Sequence, residues 1–537
     1  MRLRTLMAVA AAKAALKACH LTGRPGSSLP GRAALKIDPH IIAPLAAQIR
    51  RGIIVTCGTN GKTTTNNLLC SALEAQGFCV VSNRLGANMM EGIAAALATA
   101  ANPLGHLNAD YACLEIDEAS SAHVLHYLQP DYMILTNLFR DQLDRYGEID
   151  LTMKALEKAI RLAPSMTLVI NGDDPLTAYL SKKSGHRIVS FGVSERVGEN
   201  AQERVPEKRS SGDDRLTGSS EEQTTPEVNF SYGEVREQQT TPEVNFSYGE
   251  VREQQTTPEV KSSGEVREGR FCENCGAPLQ YDFYHFSQLG TYRCPSCGFQ
   301  RPSIDYDASN VRLSPALSFD VKESRTASPD SFNDRDFYSA HEGSSDARGF
   351  SSASARISAP LTGFYNVYNI LAVYSVLREM NLPVDTLEKV LHDFKPQFGR
   401  GEVFHVGEQA HQKVLLNLAK NPAGFNQNIS AMLQDRSPKD LIIVINDNAQ
   451  DGRDVSWLWD VDFDRLADDT IRSITVSGLR ALDMQLRLKY VEIASDVAPT
   501  VEAAIDRYLA AGCDNLYVLV NYTALYEAHK YLEGIQK

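Results

Sequence analysis

Residues 53–65 read Ile-Ile-Val-Thr-Cys-Gly-Thr-Asn-Gly-Lys-Thr-Thr-Thr: an apolar run, a glycine-rich turn, then a lysine followed by hydroxyl side chains. That order is the sequence form of an anion cradle. Gly58 and Gly61 let backbone N–H groups face a phosphate chain, and a helix starting after Gly61 adds the positive end of its dipole. Thr59, Asn60 and Thr64 complete the loop around ATP. Lys62 has the reach for the outer phosphates, and Thr63 offers a hydroxyl to Mg²⁺. One departure from the usual loop pattern is Thr56, where a glycine is common. The competing reading is a glycine-rich turn that binds nothing.

A second constellation is Cys272-x-x-Cys275-Gly and Cys294-x-x-Cys297-Gly, the two knuckles separated by 18 residues. Four thiolates at that spacing suit a tetrahedral Zn²⁺, and a fully thiolate-ligated ion has no open position for chemistry, so the expected role is structural. A redox role is the alternative. Such ribbons often bind nucleic acid, but the surroundings (Tyr281, Asp282, Tyr284, Tyr292) are not basic, and the net charge of −13 points the same way.

The elements that must position these groups alternate. Apolar runs at 53–56, 77–82, 111–116, 132–136 and 166–170 are expected strands, with helices between them. Such alternation predicts a parallel sheet with helices on both faces, whose ligands bind at the carboxyl ends of the strands. Polar residues cluster there: Asp117 and Glu118, then Asn137, then Asn171-Gly172-Asp173-Asp174. A further α/β unit has expected strands at 414–417, 441–445, 473–476 and 515–519. The fold class is therefore α/β, with 537 residues implying two or three domains. The boundaries expected are a helical lead-in over 1–50, a central ATP-binding domain over 51–398 and a C-terminal α/β domain over 399–537. Within the central domain lie a disordered insertion (195–270), the ribbon (271–300) and a low-complexity loop (322–356). The insertion contains a 16-residue direct repeat starting at Thr224 and again at Thr240, too polar to join a core. Residues 1–21 form an expected amphipathic helix, packed on the domain or lying near a membrane surface. The ATP loop places the chain in the cytoplasm.

Taken together, Gly58 to Thr64, the Glu118-Ala119-Ser120-Ser121 stretch, 136–147, 171–174, 363–369 and 399–402 resemble the motifs of the Mur ligase superfamily, in family order. The resemblance implies a ligase that joins an acid to an amine through an acyl phosphate. The closer likeness is to synthetase subunits that carry a four-cysteine ribbon and work with a glutamine amidotransferase partner. Those pairs amidate the α-carboxylate of D-glutamate in the lipid II stem peptide at the inner face of the membrane. Carried over, the resemblance implies Lys62 on the moving phosphoryl group, Thr63 and Glu118 on Mg²⁺, Asn366 and Asn369 on adenine, and Arg400 on phosphate. Capping of a helix is the alternative role for the two asparagines. In such pairs an Asp of the C-terminal domain supports the partner's Cys/His pair, and Asp451 and Asp454 are the candidates. Two departures stand out. Gln142 occupies a position usually held by histidine, and Leu418-Ala419-Lys420-Asn421-Pro422 replaces the usual turn of the third domain. A ligase that adds an amino acid unaided, and an ATP-binding scaffold without turnover, are the other readings.

Overall fold

The computed structural model describes residues 3–21, 26–84, 87–139, 149–197, 268–313, 316–324, 354–394, 399–407 and 411–536. The direct repeats, most of the low-complexity stretch and the motif residues 140–147, Gln142 among them, lie outside the described residues.

The first strands are β1 (Gly52–Cys57), β2 (Val80–Ser82), β3 (Tyr111–Glu115), β4 (Tyr132–Leu135), β5 (Thr167–Asn171) and β6 (Arg187–Val193). They are short, rich in Val, Ile and Leu, and, apart from the edge strand β2 and the start of β6, buried on both faces, as parallel strands covered by helices must be. Ile53, Val55, Ala112, Leu114, Met133 and Leu135 face one core. Ile54, Tyr111, Cys113, Ile134 and Val169 face the other, with Leu68, Leu69 and Leu73 of the helix Lys62–Ala75. The ribbon hairpin is β7 (Gln280–Phe286) with β8 (Leu289–Arg293). Then β9 (Tyr306–Arg312), β10 (Leu317–Glu323) and β11 (Ser354–Ala359) rejoin the central sheet. Its nine strands run in the order β11-β10-β9-β6-β5-β4-β1-β3-β2. β10 pairs antiparallel with both of its neighbours. The other pairings, from β2 across to β9, are parallel as expected, and β10 and β11 add an antiparallel edge. Only the ends of 322–356 lie in strands, Lys322 and Glu323 in β10 and Ser354 to Arg356 in β11; residues 325–353 lie outside the described residues.

A second sheet is built from β12 (Arg400–Val406), β13 (Gln412–Leu418), β14 (Lys439–Val444), β15 (Ile471–Ser477), β16 (Asp496–Val497) and β17 (Asn515–Val520). Its order is β12-β13-β17-β14-β15-β16, parallel except at the β12 edge. Helices cover both faces, giving it two cores of its own. The helix Leu3–Leu21 buries Ala8, Val9 and Ala12, and its Lys13 Nζ donates to Thr99 O (2.7 Å) at the end of the helix Met90–Ala100. Among the described residues no helix is long and apolar enough to cross a membrane.

Candidate active site

The glycine-rich loop joins β1 to the helix Lys62–Ala75 at the carboxyl edge of the central sheet. Its two glycines are steric requirements. Gly58 has φ 124° and Gly61 φ 83°. A Cβ on Gly58 would lie 2.3 Å from Thr136 Oγ1, and one on Gly61 would lie 2.2 Å from Asn369 Oδ1. The Thr56 departure has a plain reason: Thr56 pairs with Glu115 and Ile134, so strand β1 runs on through the position where other loops place a glycine. The loop is braced from behind. Thr59 Oγ1 donates to Phe139 O (3.0 Å) and accepts from Phe139 N (2.9 Å), while Asn137 Oδ1 accepts from Asn60 N (2.9 Å).

Lys62 is buried. Its Nζ donates to Gly58 O (2.5 Å) and Thr59 O (3.3 Å), and pairs with Glu118 Oε1 at 3.1 Å. Burial opposes the ammonium, but the field of Glu118, Asp117 and Glu115 outweighs it and raises the pKa, so Lys62 stays charged. Thr63 Oγ1 donates to Glu115 Oε2 (2.6 Å), and Asn88 Nδ2 donates to Glu115 Oε1 (3.1 Å). The carboxylate set against Thr63 is thus Glu115, which sequence reasoning had taken only as a strand residue. Glu115 and Asp117 line the cavity described below, and Glu118 is engaged by Lys62. The signal available in the sequence was parity: Glu115 is in phase with Tyr111 and Cys113, whose face packs the phosphate-loop helix.

Asn366 and Asn369 sit one turn apart in the helix Tyr365–Glu379 and are buried. They are not caps: the helix begins at Phe364 with no side-chain cap. Asn369 Nδ2 donates to Asn366 Oδ1 (3.0 Å), and Asn369 Oδ1 accepts from Thr65 Oγ1 (3.3 Å). The second sheet contributes the opposite wall. Asn421 exchanges amide hydrogen bonds with Asn60 (3.2 and 3.5 Å), and its Oδ1 also caps the helix Pro422–Gln434 by accepting from Gly424 N (2.8 Å). A cavity of about 1650 Å³ lies between these walls, lined among others by Lys62, Thr63, Glu115, Asn369, Arg400 and Lys420. Such a volume takes a nucleotide together with a second substrate. Burial lowers the Arg400 pKa while Glu115 opposes the shift, and both side chains line the cavity.

The other two candidates lie at one end of the same region. Asp451 is buried and accepts from Thr523 N (2.8 Å) and Thr523 Oγ1, holding the start of the helix Tyr522–Ile535. Asp454 is half-buried, and its Oδ1 accepts from Ser456 N (2.8 Å). The neighbouring Gln450 lines the cavity, as does Tyr522.

The four cysteines converge. Their sulfurs all lie within 4.8 Å of one another, with Cys272–Cys297 and Cys275–Cys294 at 3.5 Å. A tetrahedral zinc–thiolate centre needs sulfurs about 3.8 Å apart, so the donor set fits the ion in number, type and spacing.

Comparisons with known proteins agree with this architecture. Residues 55–230 match the Mur ligase middle domain, and residues 418–525 match the MurT ligase C-terminal domain. The chain is 32% identical to the lipid II isoglutaminyl synthase (glutamine-hydrolyzing) subunit MurT of Staphylococcus aureus, over 97% of this chain and 96% of the relative. It is 28% identical to the subunit of the same name from Streptococcus pneumoniae, over 100% of this chain and 98% of the relative. Among solved structures, a pseudomurein peptide ligase type C from Methanothermus fervidus superposes with a TM-score of 0.56 at 18% identity, covering 92% of this chain and 80% of that one.

Proposed function

This chain belongs to the MurT family of lipid II isoglutaminyl synthase subunits, and on that premise we propose that it converts a lipid II carboxylate to an amide with ATP. The carboxylate is the α-carboxylate of the D-glutamate in the stem peptide, and the product is D-isoglutamine. A carboxylate does not react with ammonia at neutral pH. Transfer of the ATP γ-phosphoryl group to it gives an acyl phosphate, ammonia attacks the acyl carbon, and inorganic phosphate leaves. The observation that carries this reading is the shared cavity, in which Lys62 and Thr63 of one sheet face Arg400 and Lys420 of the other. Lys62, Arg400 and the loop N–H groups would offset the negative charge spread over the moving phosphoryl oxygens, the main catalytic term in such transfers. Thr63 and Glu115 would hold Mg²⁺, joined by Glu118 once Lys62 turns to the phosphates; the ion supplies further charge neutralisation there. Asn366 and Asn369 brace the loop and would present their amides to adenine.

Ammonia is scarce at neutral pH, so a glutaminase subunit supplies it. Asp454 keeps partial exposure, and of the two candidates it is the one whose carboxylate could reach that partner's Cys/His pair. Asp451 is committed to the helix at Thr523. Cys272, Cys275, Cys294 and Cys297 would hold a structural Zn²⁺ in the ribbon. The chain works in the cytoplasm and meets lipid II at the inner face of the membrane.

Incubating the chain with ATP, lipid II and glutamine tests the division of labour. Amidated product is expected only when the glutaminase subunit is added. Product formed by the chain alone with a free amino acid would instead establish an unaided amino-acid ligase.

A further inference from the structure

The ribbon is joined to the nucleotide cavity, and the join is made by the hairpin between the two cysteine pairs. Cys272 and Cys275 precede β7, and Cys294 and Cys297 follow β8, so the cysteine cluster clamps the open end of the hairpin. The closed end is a two-residue turn, Ser287–Gln288, between the paired Phe286 and Leu289. That end is driven into the central domain. Gln288 is fully buried, its Nε2 donating to Leu138 O (2.6 Å), and Gly290 N donates to Asp173 O (3.0 Å). Phe286, at the tip, lines the same cavity as Lys62 and Asn369. Its ring lies 6.2 Å from Phe139, 6.2 Å from Phe364 and 6.1 Å from Tyr368. Phe139 is the residue whose backbone grips Thr59 of the phosphate loop, and Phe364 and Tyr368 flank the helix start that carries Asn366 and Asn369.

We propose that the ribbon hairpin builds the nucleotide-base subsite: Phe286 supplies an aromatic wall for adenine, and the cysteine cluster holds that wall in place. This rests on the reading of the cavity as an ATP site and adds to it a specificity-determining residue and a role for the ribbon beyond its own stability. The chemistry fits. The phosphate end of the cavity is charged and glycine-lined. The Phe139–Phe286–Tyr368 side is apolar and aromatic, with its rings inclined to one another, and Phe286 is the ring of the hairpin tip that a purine entering the cavity would pack against. Adjacent amides on Asn366 and Asn369 give the polar contacts that such a stacked base needs.

The test compares two probes on the full chain: ATP, which has a base, and inorganic tripolyphosphate, which has only the charge. Phe286→Ala is expected to weaken ATP binding by about 5- to 100-fold, the range for removing a base-stacking aromatic, and to leave tripolyphosphate binding unchanged. Phe286→Leu keeps an apolar packing residue at the tip and guards against simple unfolding. It is expected to lose ATP preference while retaining its zinc content and melting temperature. Stripping zinc with a chelator is expected to reduce the ATP preference of the native chain by a similar factor, and to add little in Phe286→Ala, because both changes remove the same wall. Equal loss of both probes in Phe286→Leu, or no loss of either, would overturn the proposal, as would an unchanged ATP preference in the zinc-free chain. A native chain that binds tripolyphosphate but shows no preference for ATP would overturn the base subsite while sparing the phosphate loop. One that binds neither would overturn the ATP reading itself.

Discussion

Lys62→Ala is expected to lower ATP-dependent amidation by ~10³-fold or more, since removing one preorganised charge donor from a phosphoryl-transfer site costs on that order. Added ammonia should not restore the activity, because the missing step precedes nitrogen attack. The fold should survive. Lys62 packs against loop carbonyls and Glu118, and burial already pushes the Glu118 pKa up, so loss of its partner moves that carboxyl further toward its neutral form. Single-turnover assays with thermal unfolding as a control check this. Near-native turnover would remove the loop from the mechanism.

Asp454→Asn is expected to reverse that pattern. The carboxylate would orient and charge-stabilise the histidine of the partner's glutaminase, a role worth up to ~10⁴-fold in catalytic triads. Glutamine-dependent amidation should collapse, and an ammonium salt at high pH should restore product, since the phosphate loop belongs to the other sheet. Asp451→Asn should behave differently. It weakens the carboxylate grip on Thr523 at the start of the helix Tyr522–Ile535, so its main cost should be ~1 kcal/mol of stability, typical of losing a helix-end contact and read as a lower melting temperature. Full glutamine-dependent activity in Asp454→Asn would detach this segment from the partner. A variant that stays inactive in ammonia would place Asp454 in the synthetase chemistry.

The phosphate loop was legible in the sequence because its demands are local. Positive φ at Gly58 and Gly61, and a lysine at the first turn of a helix, are decided within a few residues. The cysteine cluster was legible for the same reason. The sheet edge was harder. β10 alternates Leu317, Phe319 and Val321 with polar residues, an evident strand period, but it is short and runs straight into a Ser- and Asp-rich stretch with no such period. Glu115 was missed because a carboxylate at a strand end says nothing of which hydroxyl it will meet; the contact with Thr63 is made by strand order, β1 beside β3. The Asn60–Asn421 exchange spans 361 positions and depends on how the two sheets meet, which no local pattern encodes. The insertion of Phe286 into the cavity was hidden likewise: its spacing from the cysteines gives a hairpin, and only the packed structure shows where the tip goes.

This cavity is expected to activate the substrate carboxylate as an acyl phosphate. The most direct measurement starts from lipid II labelled with ¹⁸O in the α-carboxylate of D-glutamate, turned over with ATP, the glutaminase subunit and glutamine. The bond to one carboxylate oxygen breaks when ammonia displaces phosphate, so one ¹⁸O should appear in inorganic phosphate for each amide formed, with none in ADP. Unlabelled phosphate accompanying amide formation, or label recovered in a nucleotide, would rule out an acyl phosphate in this cavity.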